Sequence, residues 1–242
     1  VPDTTQVKVD PKTGTLVRDG VPFIMNPFDT HALEESLRLK DRYGFRVAAI
    51  SMGPPNTEIT LRKALSMGVD EAVLLSDRAF GGADTLATSK VLAEAILRLN
   101  LKEEVALVLC GKQTIDGDTA QVGPGIATRL GYAQLTLVDE LENVDMQAKR
   151  VRVRRKLEGR QEIVEAPFPA VLSVTREINR PRYPRLPMRL MAQKAPVLMW
   201  DNKMMKLNEE LVGLKGSTTQ VRRIFSPERA KGEIVGDGVN NP

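Results

Sequence analysis

VALVLCGKQTIDGDTAQVGPGIATRLGY, residues 105–132, joins an apolar run to a helical pattern through a polar loop that contains glycine. The run VALVLCG (105–111) has no polar alternation, which is typical of a strand covered on both faces. Residues 119–132 predict a helix, with Asp118 or Thr119 at the N-cap position. The stretch therefore predicts a strand, a loop and a helix in the order found in parallel α/β sheets.

The loop of residues 111–121 combines glycines with side chains that recognise sugars and bases. Gln113 and Gln121 each offer a hydrogen-bond donor and an acceptor. Asp116 and Asp118 suit ribose hydroxyls or backbone N–H groups. Bare N–H groups beside a helix N-terminus favour a phosphate. The spacing matches neither GxxxxGK(S/T) nor GxGxxG, so two interpretations stay open from the residues alone: a nucleotide site, or a tight turn with capping residues.

The alternation of strand and helix extends towards the N-terminus. Asp29 or Thr30 is the expected N-cap of the first helix, and Gly44 is its expected end. The predicted strands are 45–53, 71–77 and 105–111, and the predicted helices are 29–44, 56–68, 84–100 and 119–132. We therefore predict an α/β fold with a doubly wound, mostly parallel sheet of the Rossmann-like type.

Three polar loops that contain glycine follow three successive predicted strands. They are SMGPPN (51–56), SDRAFGGAD (76–84) and GKQTIDGDTAQ (111–121). Because ligands of such sheets lie beyond the carboxyl ends of the strands, we expect the three loops to border one site.

The pattern changes after residue 133, where alternating segments predict a β-hairpin extension, followed by a strand over 168–177. The hairpin carries KRVRVRRKLEGR (149–160), seven basic residues in twelve. No aromatic residue is interleaved for base stacking, so a solvated hairpin face or a partner surface is favoured over RNA binding.

Residues 179–196 contain four prolines and predict an extended arm, with regular helix excluded before about residue 188. The apolar residues within the arm suggest that it docks on a partner.

A helix is predicted over 205–213. We accordingly divide the chain into a nucleotide-binding α/β domain, 1–178, and an arm and tail, 179–242.

Composition excludes several classes of function. The chain has 242 residues, a formal net charge of +4, one cysteine and one histidine. A single cysteine allows no internal disulfide, so we expect a reducing compartment such as the cytoplasm. One histidine and one cysteine make a zinc site implausible, so we predict no metal site. A Ser-His-Asp triad would have to use His31, and nothing near His31 in the sequence suggests one. No apolar run reaches the length of a membrane span, and the first residues lack the features of a signal peptide.

Several segments in order along the chain resemble the β subunit of electron-transferring flavoproteins. They are MNPFDTHALEESLRLK (25–40), ISMGP (50–54), LRKALSMGVDEAVLL (61–75), LVLCGKQTIDGDTAQVGPGIATRLG (107–131) and PAVLSVTREINRPRYPRLP (169–187). The combination of GKQxIDxDxxQ with RPRYxxLP is specific. The resemblance implies a parallel α/β domain in a heterodimer with an α subunit that carries FAD.

The resemblance also points to one of two branches of that family. In one branch the β subunit holds a structural AMP, and the loop tends to read DDxCNQTG. In the other, the electron-bifurcating branch, it holds a second FAD that takes a hydride from NADH. The sequences DGDTAQVGP (116–124) and DRAFGGADTLATS (77–89) look like the bifurcating branch.

The resemblance implies roles for individual residues. The implied cofactor-binding residues are Asn26, Ser51, Met52, Gly53, Asp84, Thr85, Thr88, Gly111, Gln113, Asp116, Gly117, Asp118, Thr119, Ala120, Gln121 and Val122. In the arm, Leu186 matches a position used to dock on a partner dehydrogenase, and Arg182 and Arg185 flank it. The resemblance further implies a strand ahead of Val1, without which the sheet would be poorly stable, and a segment after Pro242 that wraps the α subunit.

Three functions follow as hypotheses. We favour a bifurcating β subunit that oxidises NADH at FAD and delivers electrons to the α-subunit FAD, and thence to an acyl-CoA or 2-hydroxy-acid dehydrogenase, and to ferredoxin or flavodoxin. The second hypothesis is a non-bifurcating β subunit with structural AMP. The third is a stand-alone nucleotide-binding regulatory domain, against which the RPRYPRLP arm argues.

Overall fold

A computed structural model of the chain describes residues 1–3, 8–9, 16–17 and 22–220. Near the N-terminus, β1 (Lys8–Val9) pairs with β2 (Leu16–Val17) in antiparallel orientation. No helix among the described residues is long and apolar enough to cross a membrane.

Strands and helices then alternate as predicted. The elements are α1 (Pro27–Tyr43), β3 (Ala48–Met52), α2 (Glu58–Met67), β4 (Glu71–Leu75), α3 (Thr85–Asn100), β5 (Leu107–Gly111) and α4 (Val122–Leu130). The second half contains β6 (Ala133–Asp145), β7 (Arg150–Leu157), β8 (Arg160–Pro167), β9 (Ala170–Val174), α5 (Leu186–Lys194), β10 (Leu198–Trp200) and α6 (Asn202–Met205). The prediction of an α/β fold is confirmed.

The larger strands form two sheets rather than the single sheet that we predicted. One sheet has the order β10-β4-β3, with all strands parallel. The other has the order β5-β9-β6-β7-β8, in which β5, β9 and β6 are parallel and the hairpin strands β7 and β8 are antiparallel. Among the described residues, no strand pairs with the free edge of β3 or of β5.

Buried aliphatic side chains hold the helices against these sheets. Leu74 on β4 and Leu172 on β9 are fully buried, in clusters that include side chains of α2 and α1 respectively. Burial of such a side chain stabilises a fold by about 1.5–3 kcal/mol. Of the unbroken apolar strands, β4 and β9 are central in their sheets, whereas β3 and β5 lie at the edges.

Two predicted N-caps are wrong. Helix α1 begins at Pro27, with Asn26 as its N-cap, because proline is preorganised for the first helical turn. Asp29 and Thr30 lie inside that turn. The C-terminal end at Gly44, in the left-handed conformation, is confirmed.

Helix α4 begins three residues later than predicted, and its N-cap is Gln121. Asp118 and Ala120 have φ angles of 55° and 56°. A left-handed residue interrupts a right-handed helix, so the helix cannot start at Asp118 or Thr119.

The C-terminal segment is more regular than its prolines suggested. The chain is extended only over 179–185, and α5 then begins at Leu186. Pro187 lies in the first turn, where the missing N–H of proline needs no partner. The predicted helix over 205–213 is wrong, because α6 ends at Met205. Strand β10 was not predicted, and it brings part of the segment 179–242 into the sheet beside β4.

The basic run lies on the exposed hairpin, and its charges are compensated. The pairs are Arg150 with Glu165, Arg152 with Glu142, Arg154 with Asp139 and Glu140, Arg155 with Glu162, Lys156 with Glu177, and Arg160 with Glu162. Paired cations offer little net charge to a phosphate backbone, which agrees with the interpretation as a solvated hairpin face.

Candidate functional site: a cleft at the carboxyl ends of three strands

The three polar loops border one cleft of about 2380 Å³. It opens where β3, β4 and β5 end, as expected for a parallel sheet. All predicted cofactor residues except Asp118 line it. The depth of the cleft is apolar and lies between the free edges of β3 and β5, where Ile50 and Leu109 are among its lining residues. The polar mouth is therefore the part suited to a nucleotide.

Asn26 holds the loop that follows β5. Its side-chain amide donates to the carbonyl of Gln113 at 2.8 Å, and its Oδ1 accepts from the N–H of Ile115 at 3.3 Å. The same amide donates to Asp29 Oδ2 at 2.8 Å. Because Asn26 is 3% exposed and its polar atoms are engaged within the protein, it acts as the brace of the loop.

Asp29 continues this brace into β5. Its Oδ1 accepts from the N–H of Gly111 at 2.7 Å. Burial raises the pKa of Asp29, although the hydrogen bonds from Gly111 and Asn26 favour the ionised form. Asn26 and Asp29 thus fix both ends of the segment 111–115 to the start of α1.

The next part of the loop forms an anion cradle. The left-handed residues Asp118 and Ala120 alternate with residues of other conformation, and such turns direct successive N–H groups to one side. Within the described residues, the backbone N–H groups of Thr119, Ala120 and Gln121 have no hydrogen-bond acceptor. Asp118 itself accepts a short hydrogen bond from Gln113, so both side chains are engaged within the loop.

Two helix N-termini meet at the cradle. Thr85, the first residue of α3, donates through Oγ1 to Gln121 Oε1 at 2.8 Å, just before α4. The positive ends of both helix dipoles therefore border the same polar mouth. This arrangement suits a ligand with more than one phosphate.

Close packing fixes α4 against β5. A Cβ atom at Gly123 would lie 2.8 Å from Cys110 Sγ, so any other residue at this crossing would displace the buried cysteine side chain. Burial and the charge of Asp29 raise the pKa of the Cys110 thiol to about 12. Cys110 is therefore a packing residue without thiolate reactivity.

The loop after β3 supplies another wall. The N–H of Gly53 donates to the carbonyl of Leu75 at 3.1 Å, which ties the end of β3 to the end of β4. Ser51, Met52 and Gly53 line the cleft there. Thr57 Oγ1 lies beneath Gly53 and is buried without a hydrogen-bond partner among the described residues.

The loop before α3 is closed by a segment that sequence reasoning missed. Asp84 caps α3 through Oδ1, and its Oδ2 accepts hydrogen bonds from Thr218 and Thr219. These bonds lower the pKa of Asp84 to about 2, against the effect of its burial. Thr218, Thr219 and Gln220 also line the cleft. More than 130 residues separate them from Asp84 along the chain, and no local pattern signals such a contact.

The predicted docking residues lie elsewhere, at the start of α5. Leu186 is 66% exposed and Tyr183 is 94% exposed. Arg182 is fixed by Glu34, which accepts from its backbone N–H and from its guanidinium at 2.8 Å. The hydrogen bonds from Arg182 outweigh the effect of burial and lower the pKa of Glu34. The described residues contain no cluster of His, Cys, Asp and Glu that would hold a metal ion.

Comparisons with known proteins show the family to which the chain belongs. A family model described as the electron transfer flavoprotein domain matches residues 13–203. The electron transfer flavoprotein subunit beta of Clostridium acetobutylicum is 47% identical over 236 residues, covering 97% of this chain and 88% of that protein.

Two further relatives carry other names. Subunit CarD of the caffeyl-CoA reductase-Etf complex of Acetobacterium woodii is 46% identical over 237 residues, covering 97% of this chain and 88% of that protein. Protein FixA of Azotobacter vinelandii is 45% identical over 229 residues, covering 94% of this chain and 82% of that protein.

Proposed function

The chain belongs to the electron transfer flavoprotein family, and on that premise we propose that it is a bifurcating β subunit. In this proposal the cleft binds FAD, which accepts a hydride from NADH. One electron passes to the FAD of an α subunit, and the other passes to ferredoxin or flavodoxin. The chain is then one half of an NADH-oxidising electron-transfer enzyme.

The observation that carries the proposal is the bridge between two helix N-termini. Thr85 of α3 bonds to Gln121 at the start of α4, so the anion cradle is continuous with the loop 76–84. AMP has a single phosphate and would need only the cradle at residues 119–121. A second helix N-terminus is of use to a pyrophosphate, which FAD contains.

The residues of the cleft fit an adenine dinucleotide by their chemistry. The free N–H groups of Thr119, Ala120 and Gln121 would donate hydrogen bonds to phosphate oxygens. The carboxylate of Asp116 would accept hydrogen bonds from ribose hydroxyls. Asn26 and Asp29 would hold the loop in place without touching the ligand.

Bound FAD supplies the redox chemistry, namely acceptance of a hydride and release of single electrons. The side chains of this chain therefore need to bind and orient rather than to act as acids, bases or nucleophiles. Cys110, whose raised pKa keeps its thiol protonated, is consistent with the absence of a nucleophilic side chain.

The exposed start of α5 supports a protein partner. We propose that Leu186, flanked by Arg182 and Arg185, docks an acyl-CoA or 2-hydroxy-acid dehydrogenase, which takes the electrons from the α subunit. The relative CarD, whose name places it in a caffeyl-CoA reductase complex, supports a partner that acts on CoA thioesters. We place the heterodimer in the cytoplasm.

Anaerobic titration with NADH tests the proposal. The heterodimer with its α subunit should lose flavin absorbance on addition of NADH, because the FAD of the β subunit is reduced directly. The same heterodimer, reloaded with AMP in the β subunit, is the control and should not bleach. A heterodimer that contains two FAD and is not bleached by NADH would contradict the proposal, and a native content of AMP would favour the non-bifurcating alternative.

A further inference from the structure

Residues 212–220, here called the strap, cross the loop 76–84 at the mouth of the cleft. Val212 anchors the strap in the core, where it is fully buried. The N–H of Leu214 donates to the carbonyl of Gly81 at 3.0 Å. Gly213 has a φ angle of 58°, and a Cβ atom there would collide with the carbonyl oxygen of Ala79. The strap is thus seated closely on the loop.

Asp84 is the main polar anchor of the strap. Its Oδ2 accepts from the N–H groups of Thr218 and Thr219, at 2.8 and 3.0 Å, and from both threonine hydroxyls. Its own N–H donates to Ser217 Oγ at 2.8 Å. Asp84 therefore holds three consecutive strap residues, Thr218 and Thr219 through its carboxylate and Ser217 through its backbone N–H.

The anchored end of the strap is part of the cleft. Leu214, Thr218, Thr219 and Gln220 line it on the side of α3, beside Thr85. The cradle at residues 119–121 lies on the side of α4. A ligand confined to the cradle needs no contact with the strap, whereas a ligand that extends along α3 passes it.

We propose that Asp84 is a positioning residue: it holds the strap across the mouth, and the strap makes the site selective for FAD over AMP. This inference rests on the proposed function. The family resemblance implied that Asp84 contacts the cofactor directly. We infer an indirect role instead, because both carboxylate oxygens of Asp84 already accept hydrogen bonds within the protein. The ligand contacts on this side would come from Thr218, Thr219 and Gln220.

Asp84→Asn separates the two roles of this side chain. Asparagine is as good an N-cap as aspartate, so its Oδ1 still accepts from Ala87 and α3 stays capped. Its amide nitrogen cannot accept from the N–H groups of Thr218 and Thr219, so the strap is released. Asp201→Asn is the matched control, because Asp201 caps α6 in the same way and does not line the cleft.

The experiment uses the full-length heterodimer, stripped of nucleotide and reloaded with FAD or AMP. In Asp84→Asn we expect hydrogen exchange at residues 217–220 to rise, because the charged hydrogen bonds to the strap are lost. We expect FAD to dissociate from the β subunit at least about tenfold faster. The affinity for AMP should change by less than about twofold. Gly213→Ala, which unseats the strap without altering Asp84, should reproduce the selective loss of FAD.

The outcomes separate the inference from the function on which it rests. Faster exchange at 217–220 with unchanged FAD release would overturn the role of the strap. Loss of FAD in Asp84→Asn but not in Gly213→Ala would assign Asp84 to direct contact and overturn the positioning role. Equal loss of FAD and AMP would overturn the selectivity. An unaltered heterodimer that retains AMP rather than FAD in the β subunit would overturn the proposed function itself, and the selectivity with it.

Discussion

At the scale of single residues, Asn26 fixes the position of the loop after β5, residues 111–121. Its side-chain amide and carbonyl oxygen join Asp29, in the first turn of α1, to Gln113 and Ile115 in the loop after β5. Asn26→Ala leaves these buried groups without their partner. We expect a loss of roughly 2–4 kcal/mol in the free energy of unfolding, since each unmet buried group costs about 1–3 kcal/mol. Urea denaturation measures this loss.

The matched control for Asn26 is Asn143→Ala, at an exposed position near the end of β6. It should change the free energy of unfolding by less than about 0.5 kcal/mol, as is usual at the surface. Equal effects of the two substitutions would show that Asn26 is not a brace.

Asp84 gives a prediction on pH dependence. Its pKa is lowered to about 2 in the folded state, from an ordinary value of 3.8. A lowered carboxyl pKa contributes stability above the unfolded pKa, and this contribution is lost as the pH falls towards the folded pKa. The difference in stability between the wild type and Asp84→Asn should therefore be largest above pH about 5 and shrink towards pH about 2. Denaturation at several pH values measures it, and a difference independent of pH would contradict the assignment.

At the scale of elements, the salt bridge between Glu34 and Arg182 couples α1 to the arm. The Glu34 side chain is 4% exposed, whereas Asp41, the other carboxylate bound to Arg182, is 62% exposed. We expect Glu34→Gln to cost about 1–3 kcal/mol and to raise hydrogen exchange over 182–194. Asp41→Asn should cost less than about 1 kcal/mol, because exposed ion pairs contribute little. Equal costs would contradict the role of burial in this contact.

The free edges of β3 and β5 lead to a second prediction at this scale. Strands β4 and β9 are paired on both sides, while β3 and β5 are each paired on one side within the described residues. In the 242-residue chain, the amides of β3 and β5 that point into the cleft should exchange at least about tenfold faster than those of β4 and β9. Mass spectrometry or NMR of exchanged amides measures this, and uniform protection across the four strands would contradict the pairing.

Elements with a strong local pattern could be predicted from the sequence, and the others could not. The apolar runs of β3, β4, β5 and β9 have no polar alternation, and this pattern survives in the fold because the strands are covered on both faces. Strand β10 has only three residues, which are too few to show a periodic pattern of apolar and polar side chains. Helix α5 was hidden by Pro187, since proline disfavours a helix everywhere except in its first turn.

At the scale of the whole molecule, the alternation of strands and helices in the sequence was enough to predict where the cleft lies. The loops after three parallel strands meet at one edge, and Ser51, Asp84 and Gln121 line one cleft. The strap could not be predicted, because its contact with Asp84 depends on the path of the chain through α5, β10 and α6.

The central claim is that this cleft holds FAD rather than AMP. The most direct measurement is to co-express the full-length chain with its α subunit, release the bound nucleotides by heat and quantify them. We expect two FAD and no AMP per heterodimer. One FAD and one AMP per heterodimer would contradict the bifurcating assignment, and a folded heterodimer without a nucleotide in the β subunit would contradict the interpretation of residues 111–125.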